Sequence, residues 1–189
     1  MLTELQQKKQ THLFRLIDVD HNGFMEAADW VTIGQRLAEE QGIKKGQPAY
    51  DQIQQGIHAI WKDLSKFISS KHPDKATLEE WMKFIEEKVI NVDDATYDRY
   101  VNRVVDGIFS TLDLNKNGLI DAWEYILFLK CVGVKDGPAH DAFTLLDHNG
   151  DGVLDESELI KSVEQFLKSE DADSKGNSLF GPLDSFYHF

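Results

Sequence analysis

The fold is decided by Asp113-Leu114-Asn115-Lys116-Asn117-Gly118, a stretch whose pattern occurs twice more in the chain. The same alternation of Asp or Asn, ending on glycine, occupies residues 18–23 and 147–152. Apolar residues at helical spacing lie on both sides of each stretch, such as Ile108 and Leu112 before the middle one. The repeating unit is therefore a helix, an acidic loop and a second helix.

A fourth unit of this kind lies between the first two acidic loops. Apolar stretches at 53–67 and 78–89 flank a short polar segment, 69–76, and strand signals occur only inside the loops. We therefore predict an all-α fold of four helix-loop-helix units in two pairs, packed as one compact globule. Residues 1–92 would form the N-terminal pair, and residues 93–189 the C-terminal pair with a tail.

The three acidic loops have the spacing of calcium ligands. Calcium takes about 6–8 oxygen ligands, which a twelve-residue loop supplies from alternate positions, the carbonyl at seven and a carboxylate at twelve, with glycine at six for the turn. In the first loop the predicted ligands are Asp18, Asp20, Asn22, the Phe24 carbonyl, Glu26 and Asp29. In the third unit they are Asp113, Asn115, Asn117, the Leu119 carbonyl and Glu124. In the fourth unit they are Asp147, Asn149, Asp151, the Val153 carbonyl and Glu158.

Two further positions of these loops carry predictions. Asp121 and Asp155, at position nine, are expected to reach the ion through water. Ile120 and Leu154, at position eight, are expected to pair with each other across the two loops. The chain is thus predicted to bind three calcium ions.

The first loop ends in Asp29, where the other two end in glutamate. Aspartate is one methylene shorter and reaches an ion less easily with both oxygens, which favours the smaller, octahedral Mg²⁺. Glu26 at position nine is long enough to compensate by direct ligation. Our hypothesis is that this loop holds Mg²⁺ in resting cells.

The second loop has lost its ligands. Aligning Thr77-Leu78-Glu79-Glu80-Trp81 with positions nine to thirteen puts Ser69 at position one, Lys71 at three and Pro73 at five. Asp74 then takes the glycine position. Glu80 at twelve is the one ligand that survives, and the Lys71 ammonium would repel a cation. We expect no ion here.

Composition narrows the class of protein. The net charge of −13 argues against a nucleic-acid binder and suits a protein that takes up cations. The single cysteine, Cys131, favours a reducing location. The N-terminus lacks a signal-peptide core, Leu2 rules out N-myristoylation, and the apolar run 125–129 is too short to span a bilayer. We expect a cytoplasmic monomer without stable membrane insertion, for which a protein partner is conceivable but unidentified.

No enzyme site is evident. The chain has no glycine-rich phosphate loop, no nucleophile beside a base and no zinc pattern. The carboxylates that could serve acid–base chemistry are already assigned to the loops. We therefore expect no catalytic activity.

The whole chain resembles the EF-hand proteins of the sarcoplasmic calcium-binding protein group, which includes calerythrin and calexcitin. The resemblance rests on the three intact loops, the degenerate loop with Glu79-Glu80-Trp81, Asp29, and the tail segment 176–181. It implies two EF-hand pairs packed face to face, in a cytosolic calcium buffer. The tail is most similar to calexcitin, whose likeness implies a calcium-responsive signalling protein, but the intact fourth loop departs from calexcitin.

Two alternatives to a calcium buffer are compatible with the sequence. A sensor exposes a methionine-rich groove, but the chain has Met1, Met25 and Met82 alone, which favours a buffer. The calcium-regulated photoproteins share the plan of three loops and bury a luciferin among His, Trp and Tyr, but they end in proline whereas this chain ends in Phe189.

All four tryptophans lie at helical positions beside apolar neighbours and are expected in the core. They are Trp30, Trp61, Trp81 and Trp123.

The tail changes character along its length. A polar segment, 169–177, precedes apolar residues that we expect to fold back onto the domain. A partner-binding end is the alternative. These residues are Leu179, Phe180, Leu183, Phe186, Tyr187 and Phe189.

Overall fold

Residues 1–66, 68, 72 and 74–183 are described by the structure, a computed structural model. Within these residues it has eight α-helices and four short strands. The helices are α1 (Glu4–Ile17), α2 (Ala27–Glu40), α3 (Pro48–Ser65), α4 (Leu78–Ile85), α5 (Asp94–Leu112), α6 (Ala122–Cys131), α7 (Asp136–Leu146) and α8 (Glu156–Lys168). The strands are β1 (Phe24–Glu26), β2 (Lys75–Thr77), β3 (Ile120–Asp121) and β4 (Val153–Leu154). The predicted all-α class is confirmed.

The strands join the loops in two pairs. β1 pairs antiparallel with β2, and β3 pairs antiparallel with β4. Ile120 faces Leu154 across the second ribbon, as predicted from position eight, and both side chains are fully buried. Met25 faces Ala76 in the same way in the first ribbon, and both are 1% exposed. Each ribbon therefore anchors two loops to the core through the position-eight side chains.

The helix that leaves each of the last three loops begins with a capping box. In α4 the Thr77 hydroxyl accepts a hydrogen bond from the Glu80 N–H, and the Glu80 carboxylate accepts one from the Thr77 N–H. Asp121 with Glu124 starts α6 in the same way, and Asp155 with Glu158 starts α8. Loop position nine is thus the N-cap, and position twelve is the third helical residue.

Most buried apolar side chains form one cluster drawn from both predicted halves, and a small second cluster consists of Leu37, Leu127 and Cys131. The predicted boundary at residue 92 lies between a π-helix, Glu86–Ile90, which continues α4, and the start of α5 at Asp94. The division into two domains stays a prediction. No helix in the described part of the chain is long and apolar enough to cross a membrane.

The described part of the tail packs back against the helices, as expected. A 3₁₀ turn, Lys175–Ser178, leads to Leu179, which is 3% exposed, and to Phe180, whose ring contacts Phe166 at 5.1 Å between centroids. The Tyr125 hydroxyl donates to the Leu179 carbonyl at 2.8 Å. Leu183 is half-buried, and the remaining apolar tail residues of the prediction, Phe186, Tyr187 and Phe189, lie outside the described residues.

Lys9 joins α1 to the end of α8 and to the tail. Its side chain is fully buried, and Nζ donates to the carbonyls of Gln165 (3.0 Å) and Ser169 (2.8 Å) and to Oδ1 of Asn177 (3.2 Å). Burial lowers the pKa of Lys9 to about 8. A cation beside the last carbonyls of a helix is favourable, because these carbonyls carry the negative end of the helix dipole.

One tryptophan prediction is wrong. Trp30, Trp61 and Trp81 are buried in the core, but Trp123 is 57% exposed. It is the second residue of α6, whose neighbouring residues Glu124 and Tyr125 face inward and leave it on the outer side.

Candidate metal centres

The backbone follows the same path through each intact loop. The residue at position six has a positive φ: 85° at Gly23, 79° at Gly118 and 85° at Gly152. Position four also has a positive φ, at His21 (57°) and Lys116 (59°), and at the fourth loop's Gly150 (74°). The sequence does not predict this at position four, because lysine rarely adopts a positive φ and the preference of histidine for it is weak.

The aspartate at position one of each loop holds the turn together. Asp18 accepts hydrogen bonds from the N–H groups of Asn22 (3.1 Å) and Gly23 (3.0 Å). Asp113 makes the same pair of bonds with Asn117 and Gly118. In the fourth loop Asp147 bonds Gly150 and Gly152. These bonds curl each loop around the oxygens of its first residue.

The position-twelve carboxylates of the third and fourth loops are buried and face back into the loop. Glu124 is 1% exposed and accepts hydrogen bonds from the N–H groups of Leu114 (2.9 Å), Asn115 (3.2 Å) and Asp121 (3.0 Å). Glu158 is 6% exposed and accepts the equivalent three bonds, from His148, Asn149 and Asp155. Each carboxylate thus closes its loop from the helix that follows.

Asp29 closes the first loop despite its shorter side chain. It is 1% exposed and accepts from the N–H groups of Val19 (3.1 Å) and Glu26 (2.9 Å). One carboxylate oxygen each of Asp18, Asp20 and Asp29 lies within 4.8 Å of the other two. The structure therefore brings together three of the predicted ligands of this loop.

This concentration of negative charge is unfavourable without a cation. Burial, together with the neighbouring Asp20 and Asp18, raises the pKa of Asp29 to about 6, against two backbone hydrogen bonds that lower it. Burial is also the largest cause of the raised pKa of Asp18. A divalent cation would offset both effects, since opposite charge favours the ionised form. The donors are hard oxygens, so they fit calcium or magnesium.

Position nine has a second role, as the N-cap of the helix that follows the loop. Asp121 and Asp155 accept hydrogen bonds from the Glu124 and Glu158 N–H groups, both at 2.9 Å, as N-caps. The bond from Ser157 and then that from Glu158 lower the pKa of Asp155. The signal was available, because an Asp three residues before a Glu is a capping-box pattern.

A family model described as EF hand matches residues 104–129 and 140–163, which hold the third and fourth units. Calerythrin from Saccharopolyspora erythraea is 27% identical over 166 residues, 88% of this chain and 94% of that protein. Sarcoplasmic calcium-binding protein 1 from Astacus leptodactylus is 25% identical over 179 residues, with 89% and 91% covered. The third and fourth units therefore match the EF hand, and over most of its length the chain is similar to the sarcoplasmic calcium-binding proteins. It is a calcium-binding protein.

The solved structures agree with this assignment at the level of the fold. The calcium-loaded apo form of the coelenterazine-binding protein from Renilla muelleri superimposes on this EF-hand protein with a TM-score of 0.77 and 20% sequence identity. The superposition covers 95% of this chain and 99% of that one. At this identity the likeness concerns the arrangement of helices alone.

The degenerate second loop of this EF-hand protein keeps the shape of its end. Asp74, aligned with the glycine position, has a φ of 60°, and Glu80 keeps its capping-box bonds to Thr77. Ser69, Lys71 and Pro73, which carry the prediction of lost ligands, lie outside the described residues. Glu80 thus has a structural use even where no ion is expected.

Proposed function

We propose that this EF-hand protein is a cytoplasmic calcium and magnesium buffer with three working loops. The observation that carries the proposal is the shared geometry of the three loops. Each has a position-one aspartate that binds the loop amides and a buried position-twelve carboxylate turned back into the loop. The individual ligands are those predicted from the sequence.

A buffer role, rather than a sensor role, is supported by the continuity of the core. A sensor opens a helix pair to expose an apolar groove. Here Met25 is 1% exposed, inside the strand ribbon, and the tail covers apolar side chains between α6, α7 and α8. Lys9 of the first unit and Tyr125 of the third both bond the tail, which therefore links the two predicted pairs. We also propose that the protein is a monomer and has no catalytic activity.

Magnesium at the first loop is proposed from Asp29. Its carboxylate is already bonded to two backbone N–H groups, and its side chain is too short to turn both oxygens easily toward one ion. Mg²⁺ accepts six ligands in a tighter shell and tolerates a one-oxygen contact at this position.

Calorimetric titration tests both proposals. Calcium titrated into metal-free protein is expected to fill three sites, and millimolar Mg²⁺ is expected to weaken calcium binding at one of them. The variant Asp29→Glu should remove most of that magnesium effect. Two sites in the wild-type chain, or equal competition at all three, would contradict the proposal.

The alternative is a calcium sensor of the calexcitin kind, with a signalling or membrane target. The exposed Trp123, directly before the predicted ligand Glu124, is the observation in its favour. Calcium-dependent binding of an apolar dye would favour this alternative over a buffer.

A further inference from the structure

Two side chains of the degenerate loop contact the ring of Phe24, the residue at position seven of the first loop. The Nζ atom of Lys75 lies over the Phe24 ring, 4.0 Å from its centroid. The His72 ring meets the Phe24 ring edge to face, with 5.4 Å between centroids and 81° between planes. Both are favourable geometries for an aromatic ring, the first as a cation–π contact and the second as a T-shaped pair.

The strand register explains how these side chains meet. Phe24 lies opposite Thr77, and Lys75 lies opposite Glu26. Phe24 and Lys75 are therefore diagonal neighbours on the same face of the ribbon, a separation that an aromatic and a long side chain can bridge. The other face carries Met25, which is buried in the core.

Phe24 is also the residue whose carbonyl is predicted to bind the ion. Its own N–H donates to Oδ1 of Asn22 at 2.8 Å, so its backbone is held on one side by the loop itself. The contacts of Lys75 and His72 with the Phe24 ring restrict the remaining rotation of this residue. A site that is ordered before its ligand arrives loses less entropy on binding.

We infer that Lys75 and His72 are positioning residues, which hold the first loop in its ion-binding conformation through the Phe24 ring. The inference rests on the proposed function, because it requires the first loop to bind an ion. It gives the degenerate loop a use that its missing ligands do not suggest.

The C-terminal pair lacks this arrangement. The position that corresponds to Lys75 in the second ribbon is Val153, which lies opposite Asp121 just as Lys75 lies opposite Glu26. Valine has no charge to place over a ring, and the position that corresponds to Phe24 is Leu119. The contacts with the position-seven ring therefore occur in the pair whose second loop has no predicted ion of its own.

The variant Lys75→Met tests the inference by the sign of its effect. Charge alone predicts tighter binding, because removing an ammonium near the first loop reduces its repulsion of a divalent cation. Loss of the cation–π contact with Phe24 predicts weaker binding, by about two- to fivefold in calcium affinity at the first loop. The charge-matched control is Lys83→Met, which removes a cation from an exposed ion pair with Glu87 on the same half.

The readout is a ¹⁵N NMR titration in chelator-buffered calcium that follows the amides of Gly23, Gly118 and Gly152. Each amide donates to the position-one aspartate of its own loop, so it reports on one site. In Lys75→Met the Gly23 midpoint should move to higher calcium while the other two stay in place. Lys75→Arg, which keeps a cation over the ring, should restore it, and His72→Ala should move it in the same direction as Lys75→Met.

A double-mutant cycle completes the test. Phe24→Leu should lower the calcium affinity of the first loop. Adding Lys75→Met to this variant should not lower the affinity further, because the two side chains act through one contact. An unchanged or lower Gly23 midpoint in Lys75→Met, or additive effects in the cycle, would overturn the inference. A wild-type Gly23 amide that never responds to calcium would instead overturn the proposed function of the first loop.

Discussion

The carboxylate at loop position twelve has two roles. The carboxylate must start the following helix as the third residue of a capping box, and it must face back into the loop. Glu124 and Glu158 do both, whereas Glu80 does the first in a loop where no ion is expected. The survival of Glu80 in a degenerate loop therefore follows from helix capping.

Glu124→Gln should separate these two uses when compared with Glu80→Gln. Glutamine can serve in a capping box, so both variants should keep most of their stability. At the third loop, loss of the charge should weaken calcium binding at least about tenfold, because calcium requires anionic oxygen at this position. At the second loop the number of bound ions should not change. Calorimetry gives both counts, and a lost site in Glu80→Gln would contradict the alignment of the degenerate loop.

The pH response of the first loop is set by Asp29. In the ion-free fold its pKa is raised to about 6, so below this pH a proton occupies the carboxylate and must leave before an ion binds. Calcium affinity at this loop should fall about tenfold between pH 7 and pH 5. The calcium midpoint of the Gly23 amide signal measures this affinity at each pH. An affinity that does not change between pH 7 and pH 5 would contradict the raised pKa.

The same pKa determines how stability depends on pH without calcium. The pKa in the folded state, about 6, lies above the ordinary aspartate value of 3.8, so the folded state binds the proton more tightly than the unfolded state. The contribution of Asp29 to stability is therefore largest at low pH and is lost as the pH rises through about 6. Calcium should restore it.

At the scale of single elements, the end of α8 depends on Lys9. In Lys9→Met two backbone carbonyls and the Asn177 amide oxygen lose their buried donor, which should lower the free energy of unfolding by about 2 kcal/mol. The neighbouring Lys8 is exposed, so Lys8→Met is the matched control and should change stability little. Urea unfolding of both variants measures the difference. Equal stabilities would mean that the bonds of Lys9 contribute nothing net.

The elements themselves were largely predictable from local pattern. Glycine at position six, an apolar residue at eight and a carboxylate at twelve predict the loops, and the pairing of Ile120 with Leu154 follows from their equivalence. Lys9 and Trp123 were not predictable in this way. A lysine within a polar helical pattern indicates solvent, and a tryptophan beside apolar residues indicates the core, but tertiary packing reverses both.

The same limit applies to the first ribbon. The contact of Lys75 with Phe24 needs the register of β1 on β2, which the alignment of a loop without ligands supports only weakly. Local spacing predicts which residues face an ion, and the packed structure determines which residues hold them in place.

On the scale of the whole molecule, one core connects all four units and the tail. A protein built in this way should keep its apolar surface covered with or without calcium. The fluorescence of an apolar dye should therefore rise less than about twofold on calcium binding. A severalfold calcium-dependent rise would contradict the buffer role.

Removing the tail should have the opposite result. A chain that ends at Ser174 loses Leu179 and Phe180 from contact with Tyr125 and Phe166, which leaves apolar surface uncovered. Dye binding should increase and the melting temperature should fall by several degrees, because roughly 2–4 kcal/mol of apolar burial is lost. A truncated chain that melts at the wild-type temperature would contradict a packed tail.

The uneven burial of the tryptophans has an optical consequence. Trp30, Trp61 and Trp81, all within the first 92 residues, are at most 8% exposed, whereas Trp123 is open to water beside the third loop. A neutral collisional quencher such as acrylamide should therefore extinguish the emission of Trp123 first. The fluorescence that remains comes from the three tryptophans of the N-terminal half. The quenched and unquenched tryptophan fluorescence of an unlabelled sample therefore report separately on the two halves of the molecule.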